Sequence, residues 1–259
     1  MSILLIDAGN TRIKWATATG SSEEIQAGFG NFGTLENINA QELSKIPELI
    51  EITQIICASV ISKDRTLEIK QLCKELMPSA DWHQIDGASA LKQLPTSYAN
   101  PRQLGGDRRA MLLGAQQLLV NKNILVIGMG TATTIDIIAN QKHIGGWILP
   151  GIMLMAETLS DNTANLPNII ERFNSLSTIK PALTTEEGIH QGIFASHAGA
   201  ISLAMRYAKD NGIPIDLTIL SGGNSELISN YLQSEMNIVT EAQLVLKGLL
   251  AWQLMGCPS

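Results

Sequence analysis

Aromatic residues make up only 4% of this 259-residue chain and charged residues only 16%. So few rings argue against a nucleic-acid surface built from stacking platforms. There is no basic surplus either. The chain has 18 Lys and Arg against 24 Asp and Glu, a net charge of −6, so no basic patch is expected to track a phosphate backbone. Any anionic ligand must then be caught by local donors, not by a global positive field. Cysteine is scarce: Cys57, Cys73 and Cys257 lie far apart with no CxxC pair, as in a reduced protein without a disulfide or metal framework. No apolar run approaches the ~18 residues of a membrane span. Met1-Ser2 leads directly into Ile3-Leu4-Leu5-Ile6, and Asp7 breaks the stretch. No signal peptide is therefore expected, and the reading is a cytoplasmic protein with neither membrane nor nucleic-acid partners. Also missing are GxxxxGK followed by Ser or Thr, a strand-GxGxxG-helix unit, and a GxSxG elbow, which removes three large enzyme classes. His83, His143, His190 and His197 show no metal-ligand spacing and read as surface or structural residues.

Hydrophobic residues are plentiful at 45%, enough for a folded core in one large domain or two smaller ones. Twice a short apolar strand runs into a tight Gly-containing turn and a second strand follows. The first instance is Ile3–Ile6, the turn Asp7 to Thr11, then Ile13 to Thr19; the second is Ile124–Ile127, the turn Gly128 to Ala132, then Thr133 to Ala139. An offset of 121 residues carries Leu4, Ile6 and Gly9 onto Leu125, Ile127 and Gly130. Gly lets backbone N–H groups approach an anion, and Thr or Asn side chains add donors. The pattern predicts a duplicated α/β protein, halves 1–121 and 122–259, with a phosphate-binding cleft between them.

Ile52 to Val60 reads as a buried strand, and Lys63 to Met77 as a helix stopped by Pro78. A turn-rich loop around Pro95 to Pro101 precedes an amphipathic helix from Asp107 to about Asn121. The second half adds a Gly145-to-Gly151 turn, helices over Gly151–Leu159 and Gly188–Asp210, a strand over Asp216–Leu220, and helices over Glu226–Leu232 and Glu241–Leu254. Alternating strands and helices with early hairpins indicate mixed α/β sheets.

Four motifs carry chemistry. In Asp7-Ala8-Gly9-Asn10-Thr11-Arg12-Ile13-Lys14 a carboxylate ends a buried strand beside a Gly turn. It could hold Mg²⁺ through water, with Asn10, Thr11 and Lys14 donating to phosphate. A type I′-like hairpin turn at Gly9-Asn10 is the structural alternative. In Tyr98 to Ala110, Asp107 follows Gly105-Gly106 at a helix start. It could accept a proton from an alcohol, with Arg108 binding an anion, or it could simply cap the helix. Gly128 to Asp136 repeats the phosphate turn. Ser221-Gly222-Gly223-Asn224 offers a flat Gly-rich turn against which an adenine could lie, or only a tight turn.

Taken together, DxGNTxxK, YxNPxxLGxDR, GTATTxD, GGxIxPG and a late Gly-Gly turn resemble the type III pantothenate kinases, over essentially the whole chain. That family belongs to the acetate kinase/sugar kinase/Hsp70/actin superfamily. The resemblance implies two ribonuclease H-like, actin-like ATPase halves and a homodimer that phosphorylates the primary hydroxyl of pantothenate with ATP and Mg²⁺, the first step of coenzyme A synthesis. By the same match Asp7 to Lys14 hold ATP phosphates and Mg²⁺, Thr131 contacts ATP, and Asp107 is the proton acceptor. Tyr98, Gly105, Gly106, Asp107, Arg108 and Thr185 line the pantothenate site. The family's monovalent cation, K⁺ or NH₄⁺, is usually held by an Asp where this chain has Gly128, so its side-chain ligand is missing. Dimerisation finds some support in the apolar Ile189, Ile193, Phe194, Ala200, Ile201 and Ala204 beside the small Ala195, Ser196, Ala198 and Gly199. The rival readings are a non-catalytic, transcription-accessory protein on the same fold and a kinase of another small alcohol.

Overall fold

The computed structural model describes residues 2–20, 28–35, 39–47, 49–163, 166–170, 173–176 and 178–256; Cys257 lies outside them. The chain begins with β1 (Ser2–Ala8), β2 (Ile13–Thr19), β3 (Phe32–Leu35), α1 (Ala40–Leu43), β4 (Gln54–Ser59), α2 (Lys63–Leu76), β5 (Asp81–Gln84) and α3 (Gly106–Leu118). It continues with β6 (Ile124–Met129), β7 (Ala132–Ala139), β8 (Lys142–Pro150), α4 (Ile152–Asp161), α5 (Thr185–Asp210), β9 (Leu217–Ser221), α6 (Ser225–Glu235), β10 (Ile238–Thr240) and α7 (Leu244–Leu254). These form two compact units, Met1–Leu118 with Leu244–Ser259, and Leu119–Gln243.

Each unit is built on a five-stranded sheet, ordered β3-β2-β1-β4-β5 in one and β10-β9-β6-β7-β8 in the other. β1 pairs antiparallel with β2 and parallel with β4; β6 likewise pairs antiparallel with β7 and parallel with β9. The duplication is thus carried through order and direction alike, giving two mixed α/β units flanked by helices. The central strands read as continuous apolar runs because both faces are covered: every residue of β6 is buried. In the first unit Leu4 and Ile6 pack with Ile69 and Cys73 of α2; in the second Leu125 and Ile127 pack with Phe194 and Ile201 of α5.

The expected division at 121/122 placed the terminal helix in the second half. Instead α7 belongs to the first unit, because two glycines let it lie directly on α3. A Cβ at Gly248 would stand 1.7 Å from the Ala110 carbonyl oxygen, and one at Gly114 2.6 Å from that of Leu244. The Gly145-to-Gly151 segment, read as a turn, is mostly strand β8; it accommodates a register shift at Ile137/Ile138, where Gly145 takes φ +144°. The type I′ geometry falls at Asn140 and Gln141, with φ of 50° and 59°, not at Gly9-Asn10. β3, β5 and β10 were not anticipated. They are three- or four-residue edge strands.

Candidate active site

In the first unit, β1 delivers Asp7 half-buried at its end, directly across from Lys14 on β2. Between them Gly9 N–H donates to Arg12 O at 3.2 Å, closing a four-residue loop, and Asn10 Nδ2 reaches Val60 O at 3.5 Å. Asn10, Thr11 and Arg12 are exposed. Ala8 and Ile13 are core residues, 0% and 5% exposed, so only their backbone is available to a ligand. Burial pushes the Asp7 carboxyl up to about 7; Lys14 pulls it down and the Asp107 carboxylate pushes it further up. Asp7 and Asp107, a hundred residues apart in sequence, therefore feel one another's charge.

Asp107 is not the helix cap. α3 starts at Gly106, and Arg109 N–H donates to Gly105 O at 2.9 Å as the first helical bond. The Asp107 carboxylate sits half-buried, its Oδ1 accepting from its neighbour Arg108 N–H at 2.7 Å. Of the two preceding glycines, Gly106 is required by the backbone it meets, whereas Gly105 leaves room for the Asp107 carboxylate. A Cβ at Gly105 would come 2.7 Å from Asp107 Oδ1, and one at Gly106 2.7 Å from Ile85 O. One residue on, Arg108 is 4% exposed; its Nη1 donates to Tyr98 Oη at 3.1 Å, and its guanidinium lies 5.7 Å from the ring centroid. Arg108 thus ties Tyr98 to the segment that carries Gly105 and Asp107.

In the second unit Gly130 N–H donates to Ala132 O at 3.1 Å, leaving Thr131 exposed on a tight turn. Gly151 packs against that turn: its Cβ would stand 2.2 Å from Gly130 O. The Ser221-to-Asn224 turn joins it from the other side. Asn224 N–H donates to Met129 O at 3.1 Å, and Gly222 takes φ +100° with room for no Cβ, 2.5 Å from that same oxygen. Gly223 is open to solvent. Gly128 is buried in β6, flanked by Thr134 and Ser221. Thr185 opens α5 on the surface, with Thr184 Oγ1 capping the helix by accepting from Glu187 N–H at 3.2 Å. No bond among the described residues joins Thr185 to either turn.

Two histidines read in the sequence as surface or structural residues are structural supports. His143 Nε2 lies 2.9 Å from Asp136 Oδ1, both buried, bracing β8 on β7. His197 on α5 reaches Thr133 Oγ1 at 3.1 Å and Ile193 O at 2.8 Å, tying the strand after the turn to the helix. Isolated histidines carry no spacing signal, so their partners Asp136 and Thr133 are not legible in the sequence.

A family model described as type III pantothenate kinase matches residues 3–206. The chain belongs to the type III pantothenate kinase family. Curated members include one from Janthinobacterium sp. (strain Marseille), 35% identical over 265 residues covering 99% of each chain. Another, from Herminiimonas arsenicoxydans, is 33% identical over 250 residues covering 95% of each. Among solved structures, a Campylobacter jejuni protein named for the Baf family of transcriptional activators matches with TM-score 0.58 at 20% identity, covering 96% of both chains. Component A of an Acidaminococcus fermentans (R)-2-hydroxyglutaryl-CoA dehydratase matches with TM-score 0.55 at 14% identity, covering 98% of this chain and 97% of that one. These two share the fold alone; the family rests on the family model and the sequence relatives.

Proposed function

We infer that this family member transfers the γ-phosphoryl group of ATP to the primary hydroxyl of pantothenate, the first step of coenzyme A synthesis. The observation that carries the reading is the meeting of Asp7, Lys14 and Asp107 in one unit, with the Arg108–Tyr98 pair beside them. A regulatory relic has no use for a half-buried carboxyl set across from Lys14 with a second acid, Asp107, acting on it. Phosphoryl transfer does: one orients the attacking hydroxyl while the other organises charge near the phosphates.

In this reading Asp107 accepts the hydroxyl proton, and Tyr98, Gly105, Gly106, Arg108 and Thr185 line the pantothenate site. Gly9 to Lys14 and Thr131 line the ATP phosphates, and Gly222-Gly223 present flat backbone to adenine. Asp7 fits Mg²⁺, because a hard divalent cation offsets both causes that raise this carboxyl, desolvation and the like charge of Asp107. When bound, the ion supplies charge neutralisation at the phosphate oxygens. The chain's own groups supply position: the loop at Gly9 aims backbone N–H groups, and α3 fixes Asp107 against its helix start.

The test is Asp107→Asn. ATP binding should persist while phosphoryl transfer falls by ~10²–10⁴-fold. Turnover near the wild-type level from a folded variant would remove Asp107 from the chemistry.

A further inference from the structure

Between β5 and α3 the chain makes a long excursion whose ends are pressed together. A Cβ at Gly87 would stand 2.1 Å from Pro101 O and 2.4 Å from Leu104 O. Segment 85–104 is therefore a closed strap, and it carries Tyr98. Its regular structure is limited to one short 3-10 turn, Pro101–Gln103, and Ala90 sits at φ 52°. Leu94 is its apolar anchor, fully buried.

α3 holds this strap from beneath by three side chains. Arg109 Nε donates to Ser89 O at 2.6 Å, Gln116 Nε2 to Gln93 O at 3.2 Å, and Arg108 Nη1 to Tyr98 Oη at 3.1 Å. Arg109 stands apart from the other two. Its side chain is 0% exposed, and among the described residues neither Nη1 nor Nη2 has a hydrogen-bond partner. Burial lowers it to about 10, with Asp86 opposing, so it still carries its charge at neutral pH. A buried cation with most of its donors unmet is an unfavourable way to fill space; an apolar side chain of similar volume often does as well or better. Stability alone does not account for an arginine here. Its one bond does: it fixes the strap's first turn, which Asp86 also shapes by accepting from Ala88 N–H at 2.9 Å.

We propose that Arg109 is a positioning residue for the pantothenate site, acting through the 85–104 strap to set Tyr98 over Arg108. The proposal rests on Tyr98 lining that site. Displacing a substrate-contacting group by an ångström costs up to ~10²-fold, so the partial loss of one tether should cost on the order of tenfold.

The experiment compares wild type, Arg109→Met, Arg109→Lys, Tyr98→Phe and the Arg109→Met/Tyr98→Phe double variant. Steady-state kinetics are combined with amide hydrogen exchange and thermal melts. Arg109→Met should raise the pantothenate KM about tenfold, with kcat and ATP KM within about twofold. Its melting temperature should be unchanged or higher, and exchange should quicken across 88–98 but not in β1 or β4. Arg109→Lys, still cationic, should recover part of the KM. In the Tyr98→Phe background the Arg109→Met effect should shrink below about twofold. The proposal is overturned by an unchanged KM, by an undiminished effect in the Tyr98→Phe background, or by faster exchange spread through β1 and β4. Should Arg109→Met not fold, Arg109→Lys decides on the same readouts. A wild-type enzyme indifferent to pantothenate would defeat the site reading instead; the exchange pattern would then still decide whether Arg109 holds the strap.

Discussion

Single residues were legible where chemistry leaves a composition signal and illegible where it leaves none. Asp7, Lys14, Asp107 and Arg108 sit in motifs dense with glycine and charge; the structure sets Lys14 across from Asp7 and hydrogen-bonds Arg108 to Tyr98. His197 sits in none, yet it is fully buried and links Thr133 to α5. Burial lowers its pKa, opposed by its backbone partners at Ile193 and Pro150. The consequence for stability has a definite sign. Above the unfolded value of ~6.5 the ring is neutral in both states and contributes no pH dependence. As pH falls below that value the unfolded chain binds a proton that the folded chain refuses, so stability is lost until the lower folded pKa is reached. Melting temperature should therefore drop between pH 7 and pH 5, and His197→Gln should flatten that part of the curve. Parallel curves for the two proteins would show that His197 is not the group responsible.

At the scale of elements, strong periodicity and paired Gly turns announced β1, β2, β6, β7 and every long helix. The edge strands did not announce themselves, because Asp81-Trp82-His83-Gln84 has no fully buried residue and thus no alternation to read. The sequence of β8 reads as a turn because Gly145, Gly146, Pro150 and Gly151 are turn formers in isolation; sheet pairing with β7 overrides that preference. The placement of α7 was hidden for another reason. Its apolar residues cover nearly every face, so only contacts can say what it packs on, and the decisive contact is Gly248 against Ala110. That close approach leads to a strong expectation: Gly248→Val forces α3 and α7 apart and should destabilise the protein by about 3 kcal/mol or more. A chemical-denaturation midpoint within error of wild type would mean that the two helices do not meet as described.

For the molecule as a whole, the sequence offers an apolar surplus on the Gly188–Asp210 helix as support for dimerisation. Most of that surplus serves its own unit: Ile189, Ile193, Phe194, Ile201 and Ala204 lie in the core around Leu125 and Ile127. What α5 leaves outside is an open row at Gly188, Gly192 and Gly199, with Leu203 44% and Tyr207 42% exposed. Dimerisation is therefore a proposal that the resemblance alone suggests: sedimentation at micromolar concentration should give twice the 27.9 kDa chain mass, and a fully active monomer would contradict it. Gly128 poses the remaining whole-enzyme question. It has no side chain with which to hold a monovalent cation, so activity should depend weakly or not at all on K⁺ or NH₄⁺. One measurement tests the central claim and this corollary together: Mg-ATP turnover to ADP, with and without pantothenate, in sodium-only, potassium and ammonium buffers. The account predicts ADP release only when pantothenate is present, equal within about twofold across the three cations, with the phosphate found on the primary hydroxyl. ADP release indifferent to pantothenate would contradict the kinase assignment, and collapse in sodium with recovery in potassium would contradict the reading of Gly128.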